Sequence, residues 1–237
     1  MTNFLTARWE NLIMANYVVD PILLIPYLPK GVELDYFNGE TYVSLVGFMF
    51  KNTKIFQIPI PGLGTFEEIN LRFYVTRSVG KEIKRGVVFI NETVPNKLVA
   101  FIANSLYNEH YISVPTKHIW SVNSETKNIN YQWKIGELWN NLSVNARNKK
   151  QTMEKDSFEE FIFEHYYGYS FINKTTSSEY KIEHPRWKIN DVIQYNINCD
   201  FEKMYGNNFS ILSTTKPKNV ILAEGSAIAV KWKRIRF

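Results

Sequence analysis

Val32-Glu33-Leu34-Asp35-Tyr36-Phe37-Asn38-Gly39-Glu40-Thr41-Tyr42-Val43-Ser44-Leu45-Val46-Gly47-Phe48-Met49-Phe50 is the stretch on which the reading of this chain turns. Two runs of strand-forming residues, 32–36 and 41–50, flank Asn38-Gly39, a dipeptide that accepts positive φ at both centres of a tight turn, so a β-hairpin is predicted. On its N-terminal side, residues 8–19 read as a strand. Asp20 is a capping candidate before Pro21, which predicts a short helix over 21–28 that stops near Pro29-Lys30-Gly31. On its C-terminal side, Pro59, Pro61, Gly62 and Gly64 resist both helix and central strand, so 51–66 is expected to be a long loop packed over an opening. Strands are predicted over 69–75 and 86–94 around a turn at 78–81, and a second hairpin over 118–122 and 129–135. Leu98, Phe101, Ile102 and Leu106 have the spacing of one buried stripe on a helix over 95–107. Residues 140–155 read as a polar surface segment, Asp156-Ser157-Phe158-Glu159-Glu160 as a helix start with a capping side chain and early carboxylates, the helix reaching about His165, and 192–201 and 227–232 as closing strands.

The 237 residues, 45% apolar and 22% charged, suffice for one domain over 1–237, and the 15% aromatic content leans it towards β structure. The formal charge of +5 is diffuse. In the closing Lys231-Trp232-Lys233-Arg234-Ile235-Arg236-Phe237 the cations alternate as on a strand with one wet face, so no nucleic-acid partner is expected. Cys199 is the only cysteine and reads as a strand residue; with no internal disulfide, a reducing, cytoplasmic setting is expected, and no run of residues reads as membrane-spanning. The histidines at 110, 118, 165 and 184 lack metal-motif spacing. There is no Gly-x-Ser-x-Gly elbow, and Pro61-Gly62-Leu63-Gly64 lacks the features of a phosphate loop. Neither metal nor cofactor is expected, and Asn91-Glu92-Thr93 and Asn208-Phe209-Ser210 are read as chance Asn-x-Ser/Thr triplets.

Several motifs in order carry a resemblance. Leu28-Pro29-Lys30-Gly31-Val32-Glu33-Leu34-Asp35, Tyr42-Val43-Ser44-Leu45-Val46-Gly47-Phe48, Asn70-Leu71-Arg72-Phe73-Tyr74-Val75, Gly86-Val87-Val88-Phe89, Phe158-Glu159-Glu160-Phe161 with Glu164-His165-Tyr166, and His184-Pro185-Arg186-Trp187 together resemble the YqjF-like family, domain of unknown function 2071. That family is similar to acetoacetate decarboxylases. The resemblance implies an α+β, mostly β fold: a cone-shaped barrel of curved antiparallel sheets with a few flanking helices and a central cavity. The decarboxylases use the first of two adjacent lysines in a Pro-Lys-Lys-Leu stretch to form a Schiff base. Here the stretch is Pro95-Asn96-Lys97-Leu98, and only the second lysine, Lys97, is present.

That departure has a chemical consequence. A lysine of pKa about 10.4 is neutral in about one molecule in 2,500 at pH 7, and Asn96 supplies no neighbouring charge to lower it. Lys97 is thus a catalytic candidate only if aimed inwards, and otherwise a solvated lysine in the first turn of a helix. Arg72 shares a strand face with Asn70 and Tyr74; facing the cavity it could grip a carboxylate, facing water it has no special role. Glu67 and Glu68 could line the acid side of such a pocket or mark a solvated strand entry, and His184 and Arg186 could bind ligand or build a corner around Trp187. The chain is read as binding a small, anionic or carbonyl-bearing molecule through Arg72, Asn96, Glu68, Tyr74, His184 and Arg186. The alternatives are an enzyme on small organic or keto acids, such as a lyase using Lys97, and a nucleic-acid or partner-binding module using the basic tail.

Overall fold

The computed structural model describes residues 3–59, 61–232 and 234–237. Their strands are β1 (Asn3–Val19), β2 (Glu33–Leu34), β3 (Thr41–Ile55), β4 (Ile58–Pro59), β5 (Phe66–Val79), β6 (Glu82–Val94), β7 (Tyr111–Ser113), β8 (Thr116–Val122), β9 (Thr126–Ile135), β10 (Leu138–Thr152), β11 (Tyr167–Asn173), β12 (Thr176–Glu183), β13 (Lys188–Asn198), β14 (Asn219–Ala223), β15 (Ala227–Lys231) and β16 (Ile235–Arg236). The helices are α1 (Lys97–Tyr107), α2 (Phe158–Phe163) and α3 (Phe201–Tyr205), with 3-10 turns at Pro21–Leu23, Ile25–Tyr27 and Asn207–Ser213. The protein is mostly strand. Among the described residues, no helix is long and apolar enough to cross a membrane.

Strand pairings β3–β5–β6–β11–β12–β15–β1–β3 return to their starting point, while β14, β13, β10, β9 and β8 continue outward from β1. The sheet is mixed: β6 pairs in parallel with both β11 and β7. β1 serves both routes because it is long, its first residues pairing with β15 and Leu12–Asn16 with β14.

Residues 41–50 of β3 are all buried, so this run faces apolar layers on both sides. Val43, Leu45 and Met49 pack in one core with Tyr131, Trp133 and Leu142, whereas Val46, Phe48 and Phe50 join Phe66, Phe89 and Trp187 in a second. Fully burying a side chain of this size contributes roughly 1.5–3 kcal/mol, so the two faces of β3 are a large share of what holds the strand in place. Gly47 allows the first layer to approach: a Cβ there would meet Tyr131 Cδ2 at 3.0 Å and Leu142 Cδ2 at 3.2 Å.

Long-range pairing accounts for most departures from the sequence reading. Asn38 (φ 50) and Gly39 (φ 82) do form a turn, closed by reciprocal backbone bonds between Phe37 and Glu40. The predicted hairpin is absent, because β3 is flanked by β1 and β5, and the two-residue β2 pairs with β5 instead. Asp20 accepts from Ile22 N at 2.9 Å, but the expected helix over 21–28 is two 3-10 turns; Pro26 has no N–H and disfavours α geometry at Ile25. Instead of a loop from residue 51, β3 continues to Ile55, turns at Phe56 and Gln57 with positive φ, and returns as β4 with Pro59 on a sheet edge. Residues 140–155 mostly form β10, whose buried Leu142, Val144 and Ala146 alternate with half-exposed Asn141, Ser143 and Asn145. Ser157 supplies the capping side chain of α2, which ends at Phe163 rather than reaching His165.

Candidate functional site

The site grows from one face of β5. Alternation puts Phe66, Glu68, Asn70 and Arg72 on the side away from Ile69, Leu71 and Phe73, which belong to the first core. Glu92 of β6 lies opposite Asn70, but the pairing then slips, so that Leu71 faces Asn91 while Arg72 faces Phe89. A bulge of this kind shifts the alternation by one residue. It turns both Glu92 and Phe89 towards the cavity and leaves Ile90 in the first core. β7 brings Tyr111 alongside Glu92 in parallel register, and Glu109 arrives just after the end of α1.

These residues surround a cavity of about 120 Å³ walled by Trp9, Phe48, Phe50, Phe66, Phe89 and, from α1, Ile102. For scale, an apolar cavity of about 150 Å³ admits benzene. Its polar groups include Glu68, Asn70, Arg72, Glu92, Glu109 and Tyr111. Asn70 Nδ2 donates to Glu68 Oε1 at 3.0 Å, and Tyr111 Oη donates to Glu68 Oε2 at 3.1 Å. Tyr180 Oη donates to Glu109 Oε1 at 2.8 Å. Arg72 Nη2 reaches the Ile162 carbonyl at 3.5 Å, and its Nε, like Glu92 Oε2 and Asn70 Oδ1, has no hydrogen-bond partner among the described residues.

Three buried carboxyls therefore share a weakly compensated corner. Burial pushes Glu68 up to about 7 against the opposing hydrogen bonds from Asn70 and Tyr111 and the charge of Arg72. Burial pushes Glu109 up to about 8, with Tyr180 opposing and the Glu68 charge adding. Glu92 is raised well above the usual carboxylate range, first by burial and then by its acidic neighbours Glu109 and Glu68. Near neutral pH the cavity thus presents Glu109 mainly as the neutral acid and Glu68 balanced between its two forms, with Glu92 displaced in the same direction by burial. Among the described residues, no group of three or more His, Cys, Asp or Glu is arranged to hold a metal ion.

Of the residues singled out from the sequence, Arg72 and Glu68 line the cavity. Glu67, on the opposite face of β5, accepts from Thr116 Oγ1 at 2.6 Å and meets His118 Nδ1 at 2.5 Å, tying β5 to β8. Tyr74 is buried beside the cavity with its hydroxyl 2.6 Å from Ser44 Oγ. Asn96 caps α1, accepting from Leu98 N at 2.8 Å and Val99 N at 3.4 Å, and Lys97 is exposed in the first turn, away from the cavity wall. α1 turns Val99, Ile102 and Ala103 to the cavity, leaving Leu98 and Phe101 of the predicted stripe exposed. His184 stacks on Trp187 with centroids 4.1 Å apart, and Arg186 pairs with Glu160 at 2.7 Å; neither lines the cavity. Sequence reasoning missed Glu92, Glu109, Tyr111 and Tyr180. The available signal was a charge inside the apolar run Phe89-Ile90-Asn91-Glu92-Thr93-Val94.

Residues 6–227 match the model of domain of unknown function 2071, described as an uncharacterized conserved protein. The chain belongs to this family. Its similarity to the uncharacterized protein YqjF of Bacillus subtilis is 31% identity over 110 residues, 46% of this chain and 44% of that protein, so the match spans less than half of either. The fold is that of the acetoacetate decarboxylase-like proteins. An acetoacetate decarboxylase-like enzyme from Sphingomonas wittichii superposes with TM-score 0.67 at 9% identity, covering 100% of this chain and 94% of that one. The enduracididine biosynthesis enzyme MppR, complexed with the condensation product of pyruvate and imidazole 4-carboxaldehyde, gives 0.68 at 9% identity over 100% and 90%. Acetoacetate decarboxylase from Legionella pneumophila gives 0.62 at 11% identity over 95% and 84%.

Proposed function

We propose that this member of the DUF2071 family binds a small, mainly apolar molecule whose carbonyl or carboxyl oxygen enters the Arg72–Glu92 corner. The observation that carries this reading is the combination of an aromatic-walled cavity with two unpartnered buried groups, Arg72 Nε and Glu92 Oε2. Arg72 Nε–H is a donor, and a protonated Glu92 supplies a second. Two unmatched donors on residues that line one apolar space match an oxygen acceptor, and leaving them unmatched costs about 1–3 kcal/mol each. In this reading Arg72 and Glu68 contact the ligand, while Asn96, Tyr74, His184 and Arg186 serve the structure around it.

The test uses cyclohexanone, a ring close to the cavity in size, and cyclohexane as its match without the oxygen. Saturation transfer from protein to cyclohexanone, with a concentration-dependent rise in unfolding temperature and a weaker response to cyclohexane, supports the proposal. Ala103→Trp fills the cavity from α1 and is expected to abolish both signals; retention of binding in that variant places the ligand elsewhere.

The likeness to acetoacetate decarboxylases favours a second reading, imine chemistry on a keto acid through Lys97. The exposure of Lys97 and the absence of any lysine among the described cavity-lining residues weigh against it. Borohydride reduction in the presence of pyruvate, read by intact mass, decides: a pyruvate-dependent adduct on Lys97 revives imine formation, and its absence removes it.

A further inference from the structure

Resting on the carbonyl-binding reading above, we propose that Glu68 and Glu92 form a base-and-acid pair that moves a proton on the carbon next to a bound ketone, enolising it without an imine. The cavity holds two carboxyls in unlike settings on adjacent strands. Glu68 has both oxygens occupied by donors, Asn70 Nδ2 at 3.0 Å and Tyr111 Oη at 3.1 Å, an arrangement that favours the carboxylate. Glu92, opposite Asn70 across the β5–β6 pair, has Oε2 without a partner among the described residues and faces the two other acidic side chains, which outweigh its hydrogen bond with Tyr111 and favour the protonated acid. Both carboxyls are raised by burial, but the donors on Glu68 hold it back while acidic neighbours raise Glu92 further, and such unequal settings are the usual structural basis for separate base and acid roles.

Independent polar groups point to the place where a ligand would sit. Asn70 is 2% exposed, lines the cavity and has Oδ1 unpartnered; Arg72 Nε, in the same corner, is unpartnered as well. A ketone oxygen seated between Arg72 Nε and Glu92 Oε2 satisfies two orphaned donors. The adjacent carbon then faces the Glu68 side of the corner, because Glu68, Asn70 and Arg72 follow one another on one face of β5.

The step is balanced. Glu68 takes the proton from the carbon next to the carbonyl; the C–H electron pair becomes the new C=C bond, and the carbonyl π pair moves to oxygen. That oxygen receives the Glu92 proton while Arg72 holds the developing negative charge. Reversal returns a proton to carbon from Glu68 and restores Glu92. The net result is exchange or relocation of one proton, with nothing oxidised or reduced and no co-reactant consumed. Small apolar ketones able to enolise are the substrate class, since the walls offer aromatic and aliphatic surface and the polar groups converge on one corner.

The test is loss of the α-proton signals of cyclohexanone in deuterated buffer, followed by proton NMR on the full chain, with saturation transfer recorded in the same tubes. Protein-catalysed exchange is expected in the wild type, with a rate that rises with pH through about 7 as Glu68 ionises. Glu68→Gln is expected to lower it at least about a hundredfold while cyclohexanone still binds, the scale of a lost general base. Glu68→Asp, which withdraws the carboxylate by one methylene, is expected to fall between the two and covers the case of a misfolded Gln variant. Lys97→Ala is expected to leave the rate unchanged. Binding without exchange above the buffer rate overturns the proton-transfer proposal and leaves the binding reading standing. Exchange abolished by Lys97→Ala overturns it in favour of an imine. Absence of saturation transfer overturns the binding reading, and this proposal with it.

Discussion

Replacing Glu109 by Gln tests the electrostatics of the cavity through stability alone. Glu109 is 7% exposed and accepts from Tyr180 Oη at 2.8 Å, a bond that the Gln side-chain oxygen preserves. Burial has raised its pKa from the ordinary 4.5 to about 8. Between those two values the unfolded chain has released a proton that the folded protein retains, so wild-type stability falls as pH rises through the window. Each pH unit there is worth about 1.4 kcal/mol, and the interval of about three and a half units sets a ceiling of about 5 kcal/mol. Relaxation around the ionised carboxylate and its coupling to Glu68 reduce this to an expected 2–3 kcal/mol, by an order-of-magnitude allowance for an effective dielectric well above that of dry protein. Glu109→Gln has no carboxyl to titrate. Urea unfolding followed by tryptophan fluorescence at pH 5, 6, 7 and 8 should therefore give two proteins within about 1 kcal/mol of each other at pH 5, and a variant more stable by about 2–3 kcal/mol at pH 8. A stability difference that stays constant over that range, or a variant that is the weaker protein at pH 8, refutes the argument that burial keeps this carboxyl protonated.

Further substitutions probe the supports of the site. Gly168→Ala would set a Cβ 2.1 Å from Tyr180 Cζ, displacing the ring that holds Glu109; a loss of about 1–3 kcal/mol in thermal or urea unfolding is expected, and wild-type stability would show that the ring yields freely. Asn96→Ala removes the cap of α1 at a cost of about 1 kcal/mol and should speed amide exchange over residues 97–100, whereas exposed Lys97→Ala should stay within about 0.5 kcal/mol. Buried His165, 3.0 Å from Asp35 Oδ2, is pushed down from 6.5 to about 4 by burial, so the folded protein resists charging it and stability is lost as pH falls from about 6.5 to 4. His165→Gln should flatten that part of the pH–stability curve, and an unchanged slope would assign the acid sensitivity to other groups.

The sequence exposes local chemistry better than partnership. The Asn38-Gly39 turn is legible because two adjacent residues carry it, but the pairing of β2 with β5 depends on β1 and β5 already flanking β3. β10 was hidden by its composition: the period-two pattern of Leu142, Val144 and Ala146 is present, yet the intervening Asn and Ser make the segment look like a surface loop. At the site, strict alternation on β5 groups Glu68, Asn70 and Arg72. Glu92 joins them only through pairing with β5, and the bulge adds Phe89 to the same face, which no period-two count along residues 86–94 predicts. Glu109 follows the left-handed Asn108 that ends α1, and its contact with Tyr180 spans 71 positions.

The double allegiance of β1 sets a timetable for folding. Asn16 Nδ2 donates to Asn219 Oδ1 across 203 positions, and the strand that begins the described chain is paired with β14 and β15 near its far end. A chain emerging from the ribosome can pair β1 with β3 early, but the opposite edge of β1, flanked by Trp9, Leu12 and Met14, waits for β14 and β15, about 200 residues further along. Until then an apolar strand edge is open to any neighbouring chain. A product halted before residue 219 lacks the partners that close this edge, so the emergence of β14 and β15 becomes the checkpoint between a folded molecule and an aggregation-prone one.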